Sequence, residues 1–185
     1  MPTKTFAVIV GSLRKGAYSR QIATALIGLA PAGLKGEIVE IGDLPLYNPD
    51  LDEGTPPPAW AAFREKMQGF DAVLFVTPEY NRSYPAAIKN ALDVGSRPYG
   101  HSIWSGKPGA VVSVSPGAVG GFGANHHLRQ PLVFLDVKTL QQPEVYLGHV
   151  NAVLDDAGKI TNPDTEKFLR GFMEKYAGWV SLILA

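Results

Sequence analysis

A nine-residue stretch, from Gly11 to Ser19, has the composition of an anion-binding loop. It reads Gly-Ser-Leu-Arg-Lys-Gly-Ala-Tyr-Ser and lies between an apolar run, residues 6–10, and a helical pattern. Backbone N–H groups at the start of a helix are unpaired, and the helix dipole adds partial positive charge there. Ser12 and Ser19 add hydroxyl donors, and Arg14 can hold a phosphate through two parallel hydrogen bonds. The same loop also fits a plain strand-to-helix turn in which Ser19 caps the helix.

Two further loops follow buried apolar runs and are rich in polar residues or glycine. In the first, residues 77–85, Glu79 and Asn81 can fix a planar polar ligand, as can the backbone, and Tyr80 adds an aromatic ring. A proline-initiated turn in which Asn81 is a local cap also fits. The second loop, residues 115–123, has four glycines, whose missing β-carbons let a backbone approach a flat ligand. A long flexible loop would have the same composition.

Alternating strand and helix patterns must position these loops. Apolar runs predict five strands, with helical periodicity between them, at residues 6–10, 37–41, 72–76, 110–114 and 138–140. This alternation requires right-handed crossovers and a parallel sheet covered by helices on both faces. In a doubly wound α/β sheet of order 2-1-3-4-5, the first, third and fourth strands are neighbours, and ligands bind beyond their carboxyl ends. The three loops are therefore expected to meet at one crevice.

Some details of the predicted elements are specific enough to compare with a structure. Residues 42–58 read as a long turn with several prolines. A helix from about Ala124 to Phe134 contains Pro131, which predicts a kink or an early break. The last helix starts after Asn162-Pro163, and the side chains expected on one of its faces are Phe168, Phe172, Tyr176, Trp179 and Ile183.

Size and composition narrow the classes of function. The 185 residues are enough for a sizeable core and predict one domain, 1–185. Basic and acidic residues number 17 each, which predicts neither nucleic acid nor a membrane as partner, and no apolar run is long enough to cross a bilayer. Cysteine is absent, which excludes disulfides and thiolate nucleophiles and suits a cytoplasmic protein. His126 and His127 are adjacent and point different ways on a helix, so we expect no metal site.

The loops belong to a longer series of motifs that resembles a known family. The series is Gly11-Ser-Leu-Arg-Lys-Gly, Pro78-Glu-Tyr-Asn-x-Ser, Lys89-Asn-Ala-Leu-Asp, Ser96-Arg-Pro, the loop from Ser115 to Gly121 and His127-Leu-Arg-Gln. Its order and spacings, from the first strand to about Glu144, resemble the NAD(P)H-dependent FMN reductase family. Within that family the chain is most similar to the bacterial quinone reductases that are also described as chromate reductases. The residues after Glu144 match only in general pattern.

The resemblance implies a flavodoxin-like fold that holds FMN non-covalently. It implies an oxidoreductase that takes a hydride from NADH or NADPH and reduces a small-molecule oxidant, which is a quinone, free flavin or a metal oxyanion such as chromate. The redox chemistry then belongs to the cofactor, so we expect no catalytic side chain, and none stands out in the sequence. Family membership also implies a homodimer or homotetramer, with the helix after Pro85 and the segment Leu128–Phe134 as contacts.

The resemblance also assigns residues to the site. At the ribityl phosphate it implies Gly11, Ser12, Leu13, Arg14, Ser19 and Arg20. Beside the isoalloxazine ring it implies Pro78, Glu79, Tyr80 and Asn81, with Ser115, Gly117 and Gly120 from the glycine-rich loop. Candidates for a nucleotide phosphate or an anionic substrate, with surface or subunit pairing as the alternative, are Arg82, Ser83 and Arg97. Ala17 and Ser19 depart from the family pattern, in which a small hydroxyl residue and Asn are usual. We expect FMN binding to survive, because backbone amides and Arg14 carry most of it.

Other functions compatible with a phosphate-binding loop fit the sequence less well. A flavodoxin-type electron carrier, the main alternative, docks on protein partners and tends to be strongly acidic, whereas this chain has no net charge. A low-molecular-weight phosphatase needs a cysteine nucleophile, and the chain has none. A receiver domain needs acidic residues at the end of its first strand, where this chain has Gly11-Ser12. The sequence therefore favours a reductase.

Overall fold

The computed structural model describes residues 2–185, which form a parallel sheet between two layers of helices. The strands are β1 (Lys4–Val10), β2 (Leu34–Val39), β3 (Ala72–Pro78), β4 (Pro108–Val114), β5 (Lys138–Thr139) and β6 (Val145–Leu147). The helices are α1 (Tyr18–Gly28), α2 (Pro49–Asp52), α3 (Pro58–Gln68), α4 (Ala86–Gly95), α5 (Phe122–Phe134) and α6 (Pro163–Ile183). A short 3₁₀ turn, Val150–Ala152, follows β6.

The order of the strands is β2-β1-β3-β4-β5, which confirms the flavodoxin-like order expected from the sequence. The sequence did not predict β6, which also pairs with β4 in parallel. The lower part of β4 pairs with β5 through Pro108 and Gly109. Its upper part, from Val112 to Val114, pairs with β6. One edge of the sheet is therefore divided between two short strands.

Alternate side chains of the central strands enter two separate cores. Both faces of β3 and β4 are covered, so nearly every residue of these strands is buried. One core packs Val8, Leu74 and Val112 against α1 and α6. The other core packs Phe75 and Val111 against α3, α4 and α5. The loops that follow β1, β3 and β4 therefore rise from the most deeply buried part of the molecule.

Helix α5 differs from the prediction at both points that the sequence raised. It begins at Phe122 instead of about Ala124, and it continues through Pro131 to Phe134, so of the two effects predicted for Pro131, a kink or an early break, the early break does not occur. Proline removes a single donor from the helical ladder. The buried side chains of Leu128 and Leu132, on either side of Pro131, pack into the core and keep the helix continuous.

Helix α6 begins where expected but presents a different face to the core. Asn162 caps it by accepting the backbone N–H of Thr165 at 2.9 Å. Phe172 and Tyr176 are buried as predicted, whereas Phe168 is 43% exposed. The residues of α6 that are buried are Leu169, Phe172, Met173, Tyr176 and Val180. Apolar residues occur on neighbouring sides of this helix, and packing against the sheet decided which of them became core.

The segment 42–57, expected as a plain turn, contains the short helix α2 and is fixed by buried polar side chains. The Oδ1 of Asn90 accepts the backbone N–H of Tyr47 at 2.8 Å, and its Nδ2 donates to two carbonyls of the segment. Arg64 of α3 forms a double hydrogen bond with Asp52, with both side chains only 9% exposed. Arg64 also donates to a carbonyl at the end of α4. The segment is thus part of the helical layer.

Between Pro2 and Ala185 no helix has both the length and the apolar character that a bilayer crossing requires. One sheet joins segments from Lys4 to Leu147, and α6 packs on it. That the whole chain, 1–185, is a single domain stays a prediction.

Candidate functional site

A crevice lies at the carboxyl ends of β1, β3 and β4, where the three loops meet. Its walls come from the three loops and are formed by Ser12, Arg14, Ala17, Tyr18, Ser19, Pro78, Glu79, Tyr80, Val114, Ser115 and Pro116. The three strands are neighbours in the sheet, so short loops suffice to bring these residues together. The crevice lies at the switch point of the doubly wound sheet, where ligands of such folds bind.

One end of the crevice combines a helix start with polar side chains. Ser19 is 1% exposed, and its hydroxyl has no hydrogen-bond partner among the described residues. Helix α1 begins at Tyr18, and Ala17 at its cap position offers no side-chain acceptor. Ser19 therefore does not cap the helix, which was the plain alternative for this loop. The hydroxyl of Ser12 accepts the backbone N–H of Arg14 at 3.3 Å and lies 3.3 Å from the Tyr80 hydroxyl.

Other residues of the first loop have structural partners. Gly11 is buried beneath the crevice, where a β-carbon would lie 2.9 Å from the side chains of Ile88 and Pro78. Leu13 is exposed and does not line the crevice. Arg20 donates two hydrogen bonds to Glu40, at 2.6 and 2.7 Å. Its guanidinium is therefore engaged outside the crevice, which departs from the position that the resemblance implied.

The second loop makes a tight turn from Tyr80 to Ser83. These two residues exchange backbone hydrogen bonds of 2.8 and 3.0 Å, and Asn81 and Arg82 between them have positive φ angles of 50° and 66°. Two consecutive positive φ angles define the turn type that matches the twist of paired strands. The side chains of Asn81 and Arg82 are at the exposed tip and do not line the crevice. Arg82 is 84% exposed and reaches Glu79 at 3.4 Å.

Glu79 turns its carboxylate away from the first loop and toward α5. Its Oε2 accepts the backbone N–H of Ala124 at 3.1 Å. Ser83, at the other end of the turn, lies with its hydroxyl 3.2 Å from Nδ1 of His127, also on α5. No sequence pattern indicates these contacts between the loop after β3 and the helix after β4.

Backbone contacts hold the glycine-rich loop to the segment after β6. The N–H of Ser115 donates to Leu147 at 2.9 Å, and Gly117 accepts the N–H of His149 at 3.3 Å. Gly120 has a φ of 64° and packs so closely on the backbone of Tyr146 that a β-carbon would lie 2.5 Å from its carbonyl carbon. The hydroxyl of Ser115 accepts the N–H of Gly117, so Ser115 lines the crevice while Gly117 and Gly120 shape the loop.

Arg97 lies far from the crevice within one chain. It follows the end of α4, which starts beside the crevice and runs back along the sheet for ten residues, or about 15 Å. There Arg97 lines a groove between α4 and α5 together with Lys89, Gln130 and Phe134. Its guanidinium lies 5.9 Å from the centre of the Tyr99 ring. Of the three nucleotide candidates, Arg82 and Ser83 are therefore near the crevice and Arg97 is not.

A buried polar network that the sequence analysis missed fixes α5 to the sheet. Asn125 is fully buried, and its Nδ2 lies 3.3 to 3.4 Å from the carbonyls of Val111 and Val145 and from the Ser113 hydroxyl. Its Oδ1 accepts the Nε–H of Arg129 at 2.9 Å. A buried Asn in an apolar helix was the one available signal, because such a group needs partners.

An exposed aromatic cluster lies on the outer side of α5. His126 Nε2 is 2.9 Å from the Tyr146 hydroxyl, and the ring of Phe122 is 4.3 Å from that of His126. Burial, and then the nearby carboxylate of Glu144, raise the pKa of Tyr146 to about 12. Tyr146 is thus neutral at ordinary pH and acts only as a hydrogen-bonding group. Across residues 2–185 no three His, Asp or Glu side chains are grouped in a way that could hold a metal ion.

The arrangement suits a planar ligand that carries a phosphate. Polar donors and the start of α1 line the crevice, and so do the ring of Tyr80 and the backbone of its loop. Glu79 is the one carboxylate that lines it, and this group is occupied by α5. The side chains of the crevice can therefore bind and orient a ligand, and the ligand itself must supply the chemistry.

Comparisons with known proteins agree with this geometry. The sequence profile of NADPH-dependent FMN reductases matches residues 5–152. A quinone reductase from Pseudomonas putida is 61% identical over 176 residues, which cover 95% of this chain and 94% of that protein. A 2-hydroxy-1,4-benzoquinone reductase from a Burkholderia species is 48% identical over 174 residues, which cover 94% of each. Among solved structures, FerB, a flavoenzyme NAD(P)H:(acceptor) oxidoreductase from Paracoccus denitrificans, has a TM-score of 0.90 and 40% identity, covering 96% of this chain and 97% of that chain.

Proposed function

We propose that this chain, which belongs to the NADPH-dependent FMN reductase family, holds FMN in the crevice between the three loops. It is an NAD(P)H-dependent flavin and quinone reductase, and we propose that it passes electrons mainly to quinones. FMN, when bound, accepts a hydride from the reduced nicotinamide and passes the electrons to the acceptor. We also propose a cytoplasmic location, because NADH and NADPH are held inside cells and a chain without cysteine suits a reducing compartment.

The lining of the crevice suits both the phosphate and the ring system of FMN. The hydroxyls of Ser12 and Ser19, the guanidinium of Arg14 and the first amides of α1 supply donors for a phosphate. Tyr80 and the backbone of its loop offer one wall for a flat ring system, and Ser115 borders the opposite wall. The protein's contribution is to bind and orient the cofactor and to leave one face of the ring open for the nicotinamide.

The observation that carries this proposal is the buried, unpartnered hydroxyl of Ser19 beside the crevice. A buried polar group without a partner is costly, so native proteins rarely keep one without a reason. The hydroxyl lines the same crevice as Ser12 and Arg14, where a phosphate oxygen would accept its hydrogen bond. A bound anion explains the otherwise unfavourable position of Ser19.

Removal of the Ser19 hydroxyl should affect FMN binding without lowering the stability of the apoprotein. We expect Ser19→Ala to weaken FMN binding by about 0.5–1.5 kcal/mol, the usual value of one hydrogen bond, while leaving the stability of the apoprotein unchanged or slightly higher. Fluorescence titration with FMN and urea unfolding of the apoprotein measure the two effects. The purified wild type should be yellow, release FMN on heating and bleach with NADPH under nitrogen. A wild type that retains no FMN after added cofactor is removed by gel filtration would rule out the proposed site.

Quinones are favoured as acceptors over metal oxyanions. Proteins named quinone reductase and 2-hydroxy-1,4-benzoquinone reductase are 61% and 48% identical to this chain. A flat quinone ring can stack on an open flavin face, whereas a tetrahedral oxyanion has no flat face with which to stack. We expect kcat/KM for a benzoquinone to exceed that for chromate by at least about tenfold, an apparent difference of about 1.4 kcal/mol. Equal values in a steady-state assay would contradict this preference.

We also propose that the chain forms a dimer through α4 and α5. Phe134 is 89% exposed and borders the groove that contains Arg97, and its neighbour Val133 on α5 is 77% exposed. Large apolar side chains grouped on one surface favour association. Lys89 and Asp93 on the same surface pair with each other at 2.7 Å, and in a two-fold dimer each of them could exchange this partner for its counterpart on the second copy.

A further inference from the structure

Helix α5 lacks a cap from its own sequence. Its cap position is Gly121, which has a φ of 77° and no side chain. The third residue of the helix, Ala124, is the usual recipient of a hydrogen bond to a capping side chain. Its N–H instead donates to Glu79, which is 45 residues earlier in the chain and belongs to the loop after β3. Glu79, from the loop after β3, therefore caps α5, the helix that follows the glycine-rich loop after β4.

The packing around the contact between Glu79 and Ala124 leaves no room for a side chain at Gly123. Gly123 precedes Ala124, and a β-carbon there would lie 2.9 Å from Oε2 of Glu79 and 2.8 Å from the carbonyl oxygen of Arg82. The missing side chain allows α5 to approach the turn directly. A second contact, between Ser83 and His127 at 3.2 Å, joins the same turn to the next turn of α5. The two elements are thus joined at two points one helical turn apart.

Helix α5 is itself fixed relative to the sheet. Asn125, the residue after Ala124, is fully buried and bonded to β4 and β6. Any group that fixes the turn to α5 therefore fixes it relative to the sheet and to the glycine-rich loop at the start of α5. Glu79 is 14% exposed, so its cap is largely shielded from competing water.

We propose that Glu79 is a positioning residue whose carboxylate, by capping α5, sets the width of the slot between the Tyr80–Ser83 turn and the Ser115–Gly121 loop. The proposal rests on the assignment of this crevice to FMN, because the slot receives the ring system. A carboxylate is favoured at this position because it also meets the positive end of the helix dipole of α5. Glu79 then acts on the flavin through α5 and without touching it.

Three variants test this role. Glu79→Ala removes the acceptor, whereas Glu79→Gln keeps an oxygen that can accept the Ala124 N–H. The matched control is Glu166→Ala, an exposed carboxylate in the first turn of α6 that pairs with Arg170 at 2.7 Å. Hydrogen exchange of the apoprotein reports on the cap alone. The dissociation constant and the visible spectrum of bound FMN report on the slot.

We expect Glu79→Ala to accelerate exchange both in residues 122–126 and in residues 79–83, and to weaken FMN binding about tenfold with a shifted flavin spectrum. Glu79→Gln should stay within about threefold of wild type, and Glu166→Ala should match wild type. A purely structural role would lower the stability of Glu79→Ala without changing the spectrum of bound FMN.

Each contrary result is informative. Unchanged exchange in Glu79→Ala would show that Glu79 does not hold the turn to α5 and would overturn the proposal. Equal weakening of FMN binding by Glu79→Ala and Glu79→Gln would show a direct charge effect on the flavin and would overturn the proposal too.

If Glu79→Ala does not fold, Glu79→Gln and Gly123→Ala supply the test, since a β-carbon at Gly123 forces the contact between Glu79 and α5 apart and must weaken FMN binding. If wild type binds no FMN, the site assignment fails, while the exchange comparison still decides the cap.

Discussion

Arg14 and Arg20 belong to the same loop region but have different surroundings. Arg14 lines the crevice, whereas Arg20 is held by Glu40 through two short hydrogen bonds. We expect Arg14→Ala to weaken FMN binding by about 1.5–3 kcal/mol, because a hydrogen bond between charged groups is lost. Arg20→Ala should change the same constant by less than about 0.5 kcal/mol. Fluorescence titration of the apoproteins measures both, and equal losses would show that Arg20 leaves Glu40 to bind the phosphate.

The placement of a side chain could be predicted from the sequence where it depends on residues nearby in the chain. Ser12, Arg14 and Ser19 precede or open a helix, so their placement along one crevice follows from local rules. The direction of the Glu79 side chain could not be read in the same way. Its partner is the backbone of Ala124, 45 residues away, and any residue type except proline would offer the same N–H. Nothing in the sequence marks such a partner.

At the scale of elements, one buried pair joins three helices of the same layer. Arg64 of α3 bonds to Asp52 of α2 and to the end of α4, with little exposure of either side chain. The hydrogen bonds from Arg64 hold the pKa of Asp52 below its usual value, although burial acts in the opposite direction. The pair therefore stabilises the fold at pH values above the unfolded pKa of about 4, and this contribution is lost as pH falls through the lower folded pKa.

Replacement of Asp52 tests this dependence on pH. Asp52→Asn leaves the buried guanidinium without its charge partner, so we expect a loss of about 3 kcal/mol or more at pH 7. The difference in unfolding free energy between wild type and Asp52→Asn should shrink as the pH falls below about 4, because Asp52 takes up a proton in the unfolded chain while the folded carboxylate stays ionised. Urea unfolding from pH 7 to pH 3 measures the difference. A constant difference over this range would contradict a lowered pKa.

The elements that the sequence failed to predict are the short ones. Strand β6 has three residues, too few for alternation to be visible, and it forms because β4 offers an unpaired edge above β5. Helix α2 has four residues and is capped by Asn48, a residue that equally favours turns. The long strands β1, β3 and β4 were predicted because their apolar runs are continuous. Pattern reasoning thus works where an element has enough residues to show its period.

At the scale of the whole molecule, the exposed face of α4 and α5 predicts association. We expect Phe134→Asp to convert the protein to a monomer of about 19.9 kDa, because a charge placed in an apolar contact must be desolvated. Leu182→Asp is the control, since Leu182 is 67% exposed on α6, in the opposite layer. Light scattering measures the mass of each. A wild type that is already monomeric would end the dimer proposal.

The divided edge of the sheet has a consequence for the protein at high concentration. An unbroken edge strand is a template on which a second chain can add its own strand, and this is a route to fibrils. Here β5 and β6 have two and three residues, and Pro143 lies between them without an N–H to offer. The opposite edge, β2, carries the charges of Lys35 and Glu37. The aggregation-prone apolar runs of β3 and β4 are thus kept between two edges that resist extension.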